Sequence, residues 1–257
     1  MSRRILLLIP HPDDEVVGCA ILSARARAQG AELFGLYLTT GLPAAERQWA
    51  GGRRRHGERV ARRRSEARAA AARLGISILA LNDWPSRELK AHLDAAKAQV
   101  ADAIAQHGIT ELWTAAWEGA HQDHDAANAL AAVFADRVAV AEFAEYNLME
   151  GRVSTQRFPG AETAPGETIR LTPDERDLKR ALLALYASER GNLRHIGTER
   201  ESLRPLPRRD YRARPHPGKL FRERFHWVPF RHPRIDAEPS DAIAAELAAW
   251  LARASGR

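Results

Sequence analysis

The sequence predicts an α/β fold: a Rossmann-like, doubly wound and mostly parallel sheet followed by an irregular C-terminal cap. Three observations predict it. Short apolar runs alternate with helical periodicity as far as Phe143, the rhythm of successive βαβ units. The runs are continuous and not alternating, as strands covered on both faces require. The turn after the first strand is acidic, His11-Pro12-Asp13-Asp14-Glu15, where a dinucleotide-binding protein would carry G-x-G-x-x-G.

The elements follow in order. Arg4 to Ile9 is the first strand, and Asp14 to Gly30 reads as a helix with acids in its first turn. Leu33 to Leu38 is the second strand. A loop and the basic run Arg53-Arg54-Arg55 lead into a helix from Glu58 to Leu74, stopped by Gly75. Ile76 to Leu81 is the third strand, Leu89 to His107 a helix stopped by Gly108, and Glu111 to Ala115 the fourth strand. Asp123 to Phe134 is helical again, and Val138 to Phe143 forms the fifth strand.

Beyond Asn147 the pattern changes. Val153 to Leu171 fits two strands around a turn, and Pro173 to Ser188 fits a helix capped by Thr172. Arg190 to Pro239 is rich in proline and arginine and lacks periodicity, so it reads as irregular cover over the sheet edge. Ser240 to Ala254 is a closing amphipathic helix. The expected organisation is one domain over 1–257, with a core at 1–146, a substrate-covering cap at 147–239 and the closing helix at 240–257.

Composition narrows the function classes. With 257 residues, 45% of them hydrophobic, the chain can bury a sizeable core. A single cysteine, Cys19, excludes an intrachain disulfide and a cysteine-rich zinc site, and it reads as a core thiol. The apolar run Ile5 to Ile9 is far short of the ~20 residues a membrane span needs, and a cytoplasmic location is expected. The net charge of +6 comes mainly from arginine; it fits either an Arg-rich, Ala-rich compositional bias, the favoured account, or an anionic partner such as a phosphorylated sugar, nucleotide, lipid headgroup or nucleic acid, and no nucleic-acid motif accompanies it. A homo-oligomer is left open.

Ligands of doubly wound sheets bind outside the carboxyl ends of the strands, where His11 to Glu15 would lie. Three adjacent acids are costly there unless something positive neutralises them. One account is a capped helix start, with Asp13 accepting backbone N–H bonds and the helix dipole favouring Asp14 and Glu15. The other is a metal site. His11 and Asp14 are three positions apart with proline restricting the backbone, and imidazole plus carboxylate suits zinc. A third ligand must come from another strand end. His121-Gln122-Asp123-His124 follows the fourth strand, which neighbours the first at the point where strand order reverses. Zinc would then be held by His11, Asp14 and His124. Asp13 is placed to take a proton from an attacking water, His121 to stabilise an oxyanion or protonate a departing amine, and Asp123 to orient an imidazole. Glu118, close to the second motif, and His216, between prolines, are candidate substrate contacts. Trp84, Trp113 and Trp117 lie near strand ends and read as core or rim packing.

The paired motifs resemble the PIG-L (LmbE-like) deacetylases, over roughly residues 4 to 145, with local matches near Arg63-Arg64-Ser65-Glu66 and Pro215-His216-Pro217-Gly218. The resemblance implies a Rossmann-like fold, one zinc ion and hydrolytic removal of an acetyl group from an amino sugar such as an N-acetylglucosamine conjugate. It implies the same ligands, the base role for Asp13, charge stabilisation by His121 with Asp123 beside it, and an active-site role for Arg63. Some members carry a tyrosine two residues before the first histidine of the second motif, where this chain has Gly119. The competing expectations are a metal-dependent phosphoesterase, which would need a second metal or more carboxylates, and a non-catalytic metal- or sugar-binding protein of the same fold.

Overall fold

The computed structural model describes residues 3–149, 151–159, 166–228, 232 and 235–255. Nine strands form a seven-stranded sheet and a separate hairpin among the described residues. The strands β1 (Arg4–Ile9), β2 (Glu32–Tyr37), β3 (Ile76–Leu81), β4 (Glu111–Ala115) and β5 (Ala139–Phe143) pair in parallel in the order β3-β2-β1-β4-β5. Strand order reverses between β1 and β4, which register Ile5 with Glu111 and Leu8 with Thr114. The ends of these two strands therefore flank one crevice.

The helices cover both faces. Along β1, Ile5, Leu7 and Ile9 face α1 (Asp14–Ala28), α3 (His56–Leu74) and α6 (Pro173–Leu185). Leu6 and Leu8 face α4 (Leu93–His107), α5 (Gln122–Ala132) and α8 (Ser240–Ala254). This two-sided burial is why the strand reads as an unbroken apolar run. Gly75 and Gly108 end α3 and α4 in the left-handed conformation, which glycine adopts without steric cost. Thr172 opens α6 with a reciprocal capping box to Glu175. Cys19 and Trp113 lie in one half of the core and Trp117 in the other, while Trp84 stacks on His92.

Three parts of the second half differ from the periodicity. The two strands expected within Val153 to Leu171 exist, but they do not pair with each other. A strand the periodicity missed, β6 (Tyr146–Met149), pairs with β7 (Arg152–Thr155) as a hairpin. The other, β8 (Glu167–Arg170), joins the main sheet, and the expected turn between them includes residues 160–165, outside the described residues. The stretch read as irregular contains β9 (Arg200–Pro205), antiparallel to both β5 and β8. Its sequence hid it, because Leu203 is its one large apolar side chain among arginine, glutamate, serine and proline. The helix expected from Leu89 begins instead as a 3-10 turn, Leu89–His92, before α4. Two short helices, α2 (Ala50–Arg54) and α7 (Arg190–Leu193), complete the set. No described helix is long and apolar enough to cross a membrane.

Candidate metal centre

The turn after β1 and the turn before α5 meet at the crevice. His11 Nδ1 lies 3.2 Å from Asp14 Oδ2 and 3.2 Å from His124 Nε2, and His124 Nε2 lies 3.4 Å from Asp14 Oδ2. Nitrogen and oxygen ligands about 2.0–2.1 Å from a tetrahedral zinc stand about 3.3 Å apart. The three donor atoms thus form one face of such a tetrahedron, and all three residues are buried. The chemistry of the set also fits a cation. Burial opposes a charged imidazole, yet the Asp14 and Asp123 carboxylates push His11 up to about 10. Burial likewise opposes a charged Asp14, but His124 and His11 hold its carboxyl well below its ordinary range.

Asp123 fixes the orientation of His11. Its Oδ2 receives His11 Nε2 at 2.9 Å, the Ser86 hydroxyl at 3.2 Å and the Arg87 backbone N–H at 2.6 Å, while Oδ1 receives the Leu89 N–H at 3.2 Å. With its Nε2 proton committed to Asp123, His11 presents Nδ1 to the other donors. These bonds hold Asp123 well below the ordinary carboxylate range although burial opposes ionisation. A second grouping of His11, His121 and Asp123 is close enough to hold an ion. Its carboxylate is already saturated by protein donors, so the first grouping is the better cation site.

His121 caps α5: its Nδ1 accepts the Asp123 N–H at 3.1 Å. The proton is therefore on Nε2. Burial and the neighbouring His11 depress the His121 pKa well below its usual value, so the ring is a neutral N–H donor. Its side chain is 20% accessible, against 0% for His124.

Asp13 is not the helix cap that the capped-turn account required. Its side chain makes no capping bond, and its φ of 127° is rare for a residue with a Cβ. Arg63 supports it, with Nη2 2.5 Å from the Pro12 carbonyl and 3.3 Å from Asp13 Oδ1, and Nη1 2.8 Å from Glu189. Burial pushes the Asp13 carboxyl up to about 7, against the pull of Arg63. Glu15 is sealed beneath, hydrogen-bonded by the Tyr186 hydroxyl and by the Asp13 N–H at 3.2 Å, and burial raises it to about 7.

The structure therefore brings His11, Asp13, Asp14, His121, Asp123 and His124 to one point, with Arg63 behind Asp13. Arg63 is 2% exposed and reaches the site through Asp13, not from the substrate side. Glu118, expected at the mouth, is instead fully buried. Its oxygens accept the Glu145 and Tyr146 N–H groups at 2.8 and 3.0 Å and the Asn147 amide at 3.0 Å, and burial raises its pKa to about 8. It holds the turn after β5 in shape. His216 contacts its own loop through the Pro217 carbonyl at 2.8 Å, and its Nε2 is buried without a hydrogen-bond partner among the described residues.

Several contributors were missed. Ser86, Arg87 and Leu89 come from the loop after β3 and serve Asp123, two of them through backbone N–H groups that carry no residue signature. Arg87 adopts φ 71° to do so. Glu145 is fully buried with Oε2 3.7 Å from His124 Nδ1, and the Tyr146 ring lies 5.8 Å from that of His124. Both follow β5 at the carboxyl edge of the sheet, so their position was a usable signal.

A family model described as PIG-L, GlcNAc-PI de-N-acetylase, matches residues 6–135. No protein of curated function matches the sequence. Among solved structures, a triple mutant of a deacetylase of the teicoplanin biosynthetic pathway is 20% identical, with a TM-score of 0.62 over 79% of this chain and 97% of its own. The N,N'-diacetylchitobiose deacetylase of Pyrococcus horikoshii is 17% identical, with a TM-score of 0.54 over 80% and 84%. A 4-carboxy-2-hydroxymuconate hydratase from Pseudomonas putida is 18% identical, with a TM-score of 0.51 over 81% and 98%. Likeness at this level establishes the fold, and the fold carries both deacetylases and a hydratase.

Proposed function

We propose, from the premise that this chain belongs to the PIG-L family, that it is a metal-dependent hydrolase removing the N-acetyl group of an amino-sugar conjugate. The observation that carries the reading is the triangle of His11 Nδ1, Asp14 Oδ2 and His124 Nε2, with sides of 3.2 to 3.4 Å, beside a carboxylate and an imidazole that do not join it. A binding module has no need of that second pair.

Zinc, or another divalent transition metal, would be held by His11, Asp14 and His124 and would supply Lewis acidity and a water acidified towards a pKa of ~7. Asp13 takes the proton as water attacks the amide carbonyl. A carboxyl lifted towards neutrality by burial is a stronger base than an ordinary one and can return that proton to the departing amine. His121, as a neutral Nε2–H donor, hydrogen-bonds the oxygen that gains charge in the tetrahedral intermediate. Asp123 keeps His11 in the ligating tautomer, and Arg63 aims Asp13. The deacetylases with the same fold act, by their names, on teicoplanin-pathway and diacetylchitobiose substrates. An N-acetylglucosamine conjugate is therefore the first substrate class to try.

The test is release of acetate from a panel of N-acetylglucosamine conjugates by the zinc-loaded chain, with a generic phosphate ester and an enol hydration assay in parallel. Acetate release lost in Asp13→Asn supports the reading. Phosphate release or hydration with no acetate would replace it.

A further inference from the structure

We infer that the buried Lys179–Glu201 ion pair is a positioning device that aims the Asp13–Asp14 turn and thereby sets the cation affinity of the site. The inference rests on the cation-site part of the proposed function and is independent of the deacetylation chemistry. α1 is a broken helix. At Cys19 the backbone leaves helical values, with φ −146° and ψ 30°, and the helix splits into a short ligand-bearing half and a longer second half. Such a break exposes backbone groups that the core must satisfy.

Three backbone groups at the break have charged partners. Glu201 accepts the Ile21 N–H at 2.9 and 3.1 Å and the Leu22 N–H at 2.9 Å, at the start of the second half. Lys179 Nζ donates to the Val17 carbonyl at 2.9 Å, at the end of the first half, and to Glu201 Oε1 at 2.7 Å. Gln156 Nε2 also donates to Val17, at 2.7 Å. A carboxylate at a helix start and an ammonium at a helix end both complement the local dipoles. Lys179 and Glu201 are fully buried, and both lie beyond residues 6–135.

Stability alone does not demand this arrangement. A buried ion pair replaced by well-packed apolar residues is often neutral for folding. What apolar residues cannot do is satisfy the broken ends of α1. Gly18, just before the break, lies so close to β5 that a Cβ there would be 2.1 Å from the Phe143 ring. The short half is thus pressed against β5 at Gly18 and clamped at the Val17 carbonyl, both at the end next to the break and within four residues of Asp14.

The test compares wild type with Lys179→Met, Glu201→Gln and the apolar pair Lys179→Met/Glu201→Leu. Zinc and cobalt affinities of the full chain are measured by competition with a chromophoric chelator, and thermal unfolding is measured without metal. We expect affinity to fall by about 10- to 100-fold, as for other groups that support metal ligands. The apolar pair should lose affinity even if it unfolds at the wild-type temperature, a split that a purely structural role would not give. Gln156→Leu keeps the ion pair and should lose a few-fold, which keeps the test alive if the others fail to fold. Wild-type affinity in the folded variants overturns the inference but leaves the cation site standing. A wild-type chain that binds neither metal overturns both.

Discussion

The turn after β1 and the turn before α5 each deliver a histidine and an aspartate to one point, but they are held in different ways. The second closes with ordinary backbone geometry and a local cap, and distant residues add to it. His121 is in the extended region at φ −145° and ψ 147°, its own ring caps the helix, and the buried Asp125 behind it pairs with Arg222. The first has neither. Asp13 sits at φ 127° with no capping bond, a conformation that costs of order 1–3 kcal/mol and persists only where surroundings enforce it. Those surroundings are Arg63, Tyr186 through Glu15, and the clamp on the broken α1, all distant in sequence. The second turn uses a local cap, whereas the first, which carries the proposed base Asp13, is strained and is held in place by the tertiary structure.

The largest effects should separate the roles within the two turns. His124→Ala or Asp14→Ala should abolish stoichiometric metal in the purified protein, as read by elemental analysis. Full metal in either variant would break the ligand triangle. Asp13→Asn should keep the metal and lose about 10²- to 10⁴-fold in kcat, and turnover near wild type would remove Asp13 as the base.

The comparison of strain comes next. Asp13→Gly should leave the metal-free protein as stable or raise it by about 1 kcal/mol in urea unfolding, because glycine accepts this φ freely. His121→Ala should cost about 1 kcal/mol through the lost cap. Equal costs at both positions would erase the distinction between the turns.

Arg63→Met tests the support of the base through pH. As the proposed base, Asp13 must be ionised, so activity is expected to fall as pH drops through its pKa. Removing the guanidinium that pulls this pKa down should move the acid limb of kcat/KM to higher pH. A limb unmoved in position would show that Arg63 only fills space.

The smallest effect serves as a control away from the site. Arg25, followed by burial in the opposing sense, holds Glu175 at about 2, below its ordinary value. A depressed folded-state pKa gives stability that is present above the unfolded value and lost as pH falls through the folded one. Glu175→Gln should therefore cost about 1 kcal/mol at neutral pH, and the cost should vanish as pH falls from 4.5 towards 2. Metal content should not change.

Legibility followed the range of the interactions. The parallel core could be read because burial on both faces writes itself as continuous apolar runs, and β1 and β4 lie where those runs lie. β6 could not, since it is a four-residue strand of a separate hairpin, and β9 could not, since it lies between β5 and β8 yet carries Arg200, Glu201, Ser202 and Arg204, a composition that does not mark a strand. At the site, His11, Asp14 and His124 announced themselves through residue type and spacing. Arg87 and Leu89 contribute N–H groups that every residue but proline possesses, so no sequence pattern could name them.

By itself, the sequence determined the α/β class, the two strand ends that carry the histidines and acids, and the family. These follow from hydrophobic periodicity and from side chains whose chemistry is particular. Only the tertiary structure decided that Asp13 is strained and not a cap, that Arg63 stands behind it, that Glu118 is sealed inside, and that α1 breaks at Cys19 onto Lys179 and Glu201. Each depends on which groups burial leaves facing one another across 27 to 180 residues of chain, a pairing that local pattern does not encode.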